Sequence, residues 1–186
     1  MTPTEQLKEE HNAIKLMLKI LEECCRKLES GEEVNAKHLE EVLDFIKVFV
    51  DRCHHAKEED FLFPAMQAVG IPREGGPIGV MLAEHDMGRN FVREMSDALA
   101  QYKAGERQAS TKIVENARAY ASLLAQHINK EDNILYRMAD MRIPKQKQQD
   151  MLEEFEQVER ERIGVGKHEE FHKLLERLEK TYLSEE

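Results

Sequence analysis

The segment His54-His55-Ala56-Lys57-Glu58-Glu59-Asp60-Phe61-Leu62-Phe63 aligns without gaps to His127-Ile128-Asn129-Lys130-Glu131-Asp132-Asn133-Ile134-Leu135-Tyr136. Each copy opens on a histidine and places a glutamate four residues later, so on an α-helix the two side chains share one face. A further histidine precedes each copy at nearly the same separation: His11 to His54 spans 43 residues and His85 to His127 spans 42. The chain therefore reads as two related halves, each giving His plus His-x3-Glu. The alignment also sets the register. His55 matches Ile128 and sits among Asp51, Arg52 and Glu59, so His54 and Glu58 are the expected inward pair, and His55 belongs to the surface.

Working outward, helix punctuation is frequent and strand signals are nearly absent. Thr4 can cap a helix running through Ser30 to Gly31, and Asn35 can cap a second ending near Gly70. Ile71-Pro72-Arg73-Glu74-Gly75-Gly76-Pro77 is a loop by composition. A third helix follows from Ile78 to about Lys103, and Ser110 can cap a fourth reaching about Arg137. Four long helices with short connections predict an all-α, up-down-up-down four-helix bundle over residues 1–140. Beyond Pro144, a charged helix, a Gly164-Val165-Gly166 break and a last helix from Lys167 to Leu183 predict a C-terminal helical hairpin over 141–186, packed on the bundle.

Apolar positions recurring at spacings of three and four give the inward seams. The first seam runs Leu7, His11, Ile14, Leu18, and the second runs Val50, His54, Glu58, Phe61. The third runs Met81, His85, Gly88, Val92, and the fourth runs Tyr120, Leu124, His127, Glu131, Ile134, Met138. Histidine interrupts every one, and glutamate interrupts two. Ionisable groups inside a core cost several kcal/mol each unless paired or bound to metal. His11 and His85 each lie on the order of 11 Å into their helices at 1.5 Å per residue, and antiparallel packing brings the other four residues to the same end. Four imidazoles and two carboxylates exceed one tetrahedral zinc site, and the absence of thiolate points away from a structural zinc cage. They suit two first-row metals with bridging glutamates and open positions for a bridging oxygen species and an exogenous ligand. Such a pair binds or reduces small molecules.

The pattern His11, His54-x3-Glu58, His85, His127-x3-Glu131, with the phrases HHAKEEDFLFP, GPIGVMLAEHD and HINKEDNILY, resembles the hemerythrin-like HHE cation-binding family over residues 1 to about 140. The resemblance implies a bundle holding a non-haem di-iron centre, with His11, His54, His85 and His127 as nitrogen ligands and Glu58 and Glu131 as bridging carboxylates. Its implied partners are dioxygen, nitric oxide or peroxide. The chain is also similar to related di-iron proteins implicated in iron-sulfur repair and the nitric oxide response, without their cysteine-bearing amino-terminal extension. It differs from the oxygen carriers in having four matched histidines rather than five. Binding protein, di-iron enzyme and iron store or donor are the three classes this leaves, and the residue types alone admit other divalent metals.

Composition narrows the field. The 186 residues carry 27 Lys+Arg against 37 Asp+Glu, a formal charge of −10, without the basic footprint that nucleic acid or anionic lipid requires. No apolar run approaches the roughly 18 residues of a membrane span. Neither a secretory signal nor a disulfide framework is visible: Cys24 and Cys25 are neighbours, and Cys53 makes the number odd. A cytoplasmic setting is the expectation, with the cysteines as small core residues. No flavin or nicotinamide motif is present, so a reductase would draw on an external electron donor. Tyr120 and Gly88 beside the seam read as core packing, although Gly88 could leave room for a ligand channel. Glu84, Asp86, Glu59 and Asp132 could accept hydrogen bonds that orient the imidazoles, but most of them read as a solvated face. His38, His168 and His172 read as surface residues, and the hairpin as a cover for the bundle or a dimer surface.

Overall fold

A capping box starts the chain. Thr2 Oγ1 accepts from the Glu5 amide at 3.2 Å and the Glu5 carboxylate accepts from the Thr2 amide at 2.7 Å, so the first helix is Pro3–Glu29. Thr4, the expected cap, is instead buried two residues past the cap, within the first turn, and donates to Asp140 at 2.6 Å. Asn35 caps the second rod as expected, accepting from the Lys37 amide at 2.9 Å. Proline at the first helical position opens the third, Pro77–Lys103. The fourth begins at Ala109 rather than after Ser110 and continues past Arg137 to Arg142. Helices Lys145–Val158 and Lys167–Tyr182 follow, separated by Gly164 and Gly166 at φ +107° and +81°, which side-chain-bearing residues rarely adopt. The computed structural model describes residues 1–184, and these form an all-helical bundle without strands.

Three rods are not α-helical throughout: Lys145–Val158 ends in a π turn, Glu159–Ile163, and the other two carry their π segments at the polar repeats. In the second, α-helical Ala36–Phe45 passes into π-helical Ile46–His55, and a second π turn, Glu58–Leu62, precedes Phe63–Ala68. The fourth has one π turn, Glu131–Leu135, between Ala109–Lys130 and Tyr136–Arg142. Both short turns open on the repeat's glutamate: the Phe63 amide donates to the Glu58 carbonyl, and the Tyr136 amide to the Glu131 carbonyl, each five residues back. A wider turn shifts the helix phase by about a residue. Phe61 and Met138, expected in the seams, are consequently only half-buried and Ile134 is 55% exposed, while Leu62, Phe63, Leu135 and Tyr136 point inward.

Two apolar clusters result. The larger joins Ile14, Leu21, Phe45, Phe49, Leu99 and Ile113 with Phe171 and Leu175 of the last helix. A smaller one gathers Leu7, Phe63, Met66, Ile78, Leu135 and Tyr136 with Met151 and Phe155. The expected hairpin thus contributes side chains to both cores. The six repeat-derived polar residues belong to neither cluster, although His11 and His85 follow Leu7 and Met81 of the smaller one by a single turn and precede Ile14 and Val92 of the larger. No described helix is long and apolar enough to cross a membrane.

Candidate metal centre

The structure brings His11, His54, Glu58, His85, His127 and Glu131 together, none more than 1% exposed. They form two pairs of rings. His11 Nε2 lies 3.0 Å from His54 Nε2, and His85 Nε2 lies 3.1 Å from His127 Nε2. The carboxylates reach across both. Glu131 Oε2 is 3.1 Å from His11 Nε2 and its Oε1 is 2.8 Å from His127 Nε2, while Glu58 lies 3.9 Å from His54 Nε2 and 3.3 Å from His85 Nε2.

Every Nδ1 atom on the other side of these rings meets a carboxylate. His11 pairs with Asp132 at 2.7 Å, His54 with Glu10 at 2.7 Å, His85 with Glu59 at 2.7 Å and His127 with Glu84 at 2.8 Å. An Nδ1–H donating to an anion leaves the Nε2 lone pair of a neutral ring pointing inward. Nitrogens about 2.1 Å from one ion at right angles stand about 3 Å apart, the separation seen in both pairs. Glu58 Oε2 and both oxygens of Glu131 are buried without a hydrogen-bond partner. Converging nitrogen lone pairs and orphaned carboxylate oxygens are what a pair of cations would satisfy, so the donor set fits a metal centre.

The supporting shell obeys the repeat as well. Glu10 and Glu84 immediately precede His11 and His85, and they are bound by Lys57 and Lys130, which immediately precede the two glutamates. Lys15 and Arg89, four residues after His11 and His85, hold Asp132 at 3.2 Å and Glu59 at 2.7 Å. Glu59, Glu84 and Asp132 thus orient rings rather than merely facing solvent, whereas Asp86 is exposed and pairs with Arg89 at 3.0 Å. Lys57 and Lys130 already match in the repeat but carry no sign there of being buried, and Glu10 is reached only by extending the alignment to the residue before His11 and His85.

Charge in this cluster is strongly interdependent. Burial opposes protonation of His11 and His85, but Asp132 and Glu131 around the first, and Glu58 and Glu59 around the second, raise them to about 9 and about 10. Burial likewise opposes the Glu10 carboxylate, yet His54 and Lys57 bring it down to about 2. The imidazoles hold Glu131 well below the usual carboxylate range despite its burial. Metal ions entering such a site compete with protons for the same nitrogens.

Two positions break the two-fold symmetry. His55, expected at the surface, is only 5% exposed because the π-helical stretch ending there turns both adjacent histidines inward; its ring stacks on His85 at 3.8 Å and 19°. Tyr136 stacks on His11 at 5.5 Å and donates its hydroxyl proton to Glu58 Oε1 at 2.5 Å, where its counterpart Phe63 stacks on His85 with no such group. Tyr120 is buried, as expected of a core residue. The other histidines lie outside the centre: His172 is exposed, half-buried His38 bonds the Tyr182 hydroxyl at 2.7 Å, and half-buried His168 packs on Phe49 with its Nε2 3.4 Å from Cys53 Sγ. Burial pushes all three free cysteines up to about 12, in keeping with inert core thiols.

Among known proteins, the chain is 26% identical over 164 residues to an uncharacterised protein of Mycobacterium bovis and equally to uncharacterised proteins of two Mycobacterium tuberculosis strains. The match covers 88% of this chain and 64% of each relative, so the chain spans somewhat under two thirds of their length. No solved structure matches it. The pattern of the hemerythrin HHE cation-binding domain matches residues 2–139, which include all six residues of the centre, and the chain belongs to that family.

Proposed function

We propose that the centre holds two iron ions, one on His11 and His54, the other on His85 and His127, with Glu58 and Glu131 between them. In this reading it binds or reacts with dioxygen, nitric oxide or peroxide. The supporting observation is the trio of partnerless buried oxygens, Glu58 Oε2 and both of Glu131, among four Nε2 atoms whose opposite nitrogens are anchored to carboxylates. An all-nitrogen-and-oxygen donor set suits borderline first-row ions. Iron bound there would supply one-electron redox chemistry and sites for a small ligand.

The protein's own contribution is orientation and exclusion. Asp132, Glu10, Glu59 and Glu84 fix the rings, the flanking apolar residues limit water, and Tyr136 holds a proton at Glu58 Oε1. Iron-loaded, reduced protein is mixed rapidly with dioxygen, nitric oxide and peroxide in turn, and absorbance is followed. A rapid optical change with at least one of them is expected; silence with all three contradicts the proposal. Repeated turnover with an added electron donor would place the protein among enzymes rather than carriers.

A further inference from the structure

One side of the centre opens onto a cavity. It occupies about 340 Å3 and is lined by Ile46, Asp51, His55, His85, Gly88 and Tyr120, among others. That volume lies within the range of small-molecule sites, and His85 of the His85–His127 half is among the residues that line the cavity. His55 forms part of its wall. A ring nitrogen of His55 lies within 4.8 Å of donor atoms of Glu58, His85 and His127, its Nδ1 meets Asp51 at 3.3 Å, and no hydrogen bond among the described residues engages its Nε2.

The geometry of His55 differs from that of the convergent rings. His11 and His54 have centroids 4.7 Å apart and planes at 56°, and His85 and His127 stand at 4.8 Å and 53°, so each pair aims at one point. His55 lies nearly parallel to His85, face against face, and is therefore placed beside the ligand set rather than in it. In the other half the equivalent residue is buried Ile128, which offers no polar atom, while the Tyr136 hydroxyl approaches His11 Nε2 at 3.3 Å.

We infer that the exogenous ligand enters through this cavity and binds on the His85–His127 side, where His55 contacts it by a hydrogen bond without ligating the metal. This rests on the di-metal reading above. It makes the two halves chemically unequal: one faces the cavity with a free imidazole nitrogen, and the other has apolar Ile128 at the equivalent position and the Tyr136 hydroxyl against His11. Gly88 then has a specific role. A Cβ added there would stand 3.5 Å from Tyr120, an ordinary contact, so a larger side chain fits at its base while its far end occupies the cavity.

Azide binding to the oxidised, iron-loaded full chain, followed optically beside iron content, tests this. The expectation for His55→Ile is two irons retained and azide affinity reduced about tenfold or more, the effect of one hydrogen bond to a charged ligand. His55→Gln, which keeps a hydrogen-bonding group, is expected to recover part of that affinity. Gly88→Leu is expected to retain iron and slow azide association, and it carries the test if the His55 variants fail to fold. Iron lost from His55→Ile would make His55 a ligand and overturn the inference. So would unchanged azide affinity in His55→Ile or unchanged association in Gly88→Leu. A wild-type chain that does not load two irons would instead overturn the di-metal reading, and this inference with it.

Discussion

Glu10 and Lys57 form an ion pair sealed inside the protein, and the second oxygen of the same carboxylate holds His54 Nδ1 at 2.7 Å. Lys57 is 0% exposed and also reaches Glu159 at 2.6 Å, which ties the residues before the last helix to the back of the centre. Its repeat counterpart, Lys130, makes the equivalent pair with Glu84 but is 37% exposed. Removing one partner of a buried pair costs about 3–5 kcal/mol, whereas an exposed pair contributes about 0–1. Lys57→Met should therefore be severely destabilising and Lys130→Met nearly neutral, as measured by urea unfolding of the two variants side by side. Equal losses would contradict the burial argument.

Asp132 and Glu59 act on the metal only through the rings they orient. Asp132→Asn and Glu59→Gln keep the shape and remove the charge, so the fold should survive while metal affinity falls about 10–100-fold. Competition against a chelator of known affinity checks this, with circular dichroism as the control for folding. Asp86→Asn, on an exposed residue bonded to Arg89, should leave metal affinity as in the wild type.

The seams, the repeat and the six central residues were legible because they depend on side-chain identity at fixed spacing. The π-helical segments were not, since a helix that slips one hydrogen bond leaves no compositional mark. The misreading of Phe61, Ile134 and His55 follows from that slip. Tyr136 was lost for the same reason: without the shift after Glu131 it falls off the seam that in fact carries it to Glu58. Lys57 was hidden differently, as a charged residue that composition assigns to solvent until Glu10 and Glu159 are seen to enclose it.

Metal-free protein should lose stability in alkali. The folded-state values of about 9 for His11 and about 10 for His85 lie above the 6.5 of a free imidazole. Their contribution is thus complete below about pH 6.5 and lost as pH rises through 9 to 10. The melting temperature of chelator-treated protein is expected to fall between pH 7 and 10, and iron loading at pH 7 is expected to release protons. A melting temperature that does not change over that range would show that these histidines are not held protonated by their carboxylates.

Tyr136→Phe copies Phe63 of the other half. It removes the donor to Glu58 Oε1 and leaves another buried carboxylate oxygen without a partner, at a cost of about 1–3 kcal/mol in metal-free protein. Thermal melts of both proteins with and without metal check this; the penalty should shrink once metal engages Glu58.

Iron content measured on protein reconstituted anaerobically and freed of excess metal addresses the centre itself. Close to two irons per chain are expected, with most of the iron lost in His54→Ala and Glu131→Ala. No iron, or a single tightly held zinc that survives both substitutions, would contradict the di-iron assignment.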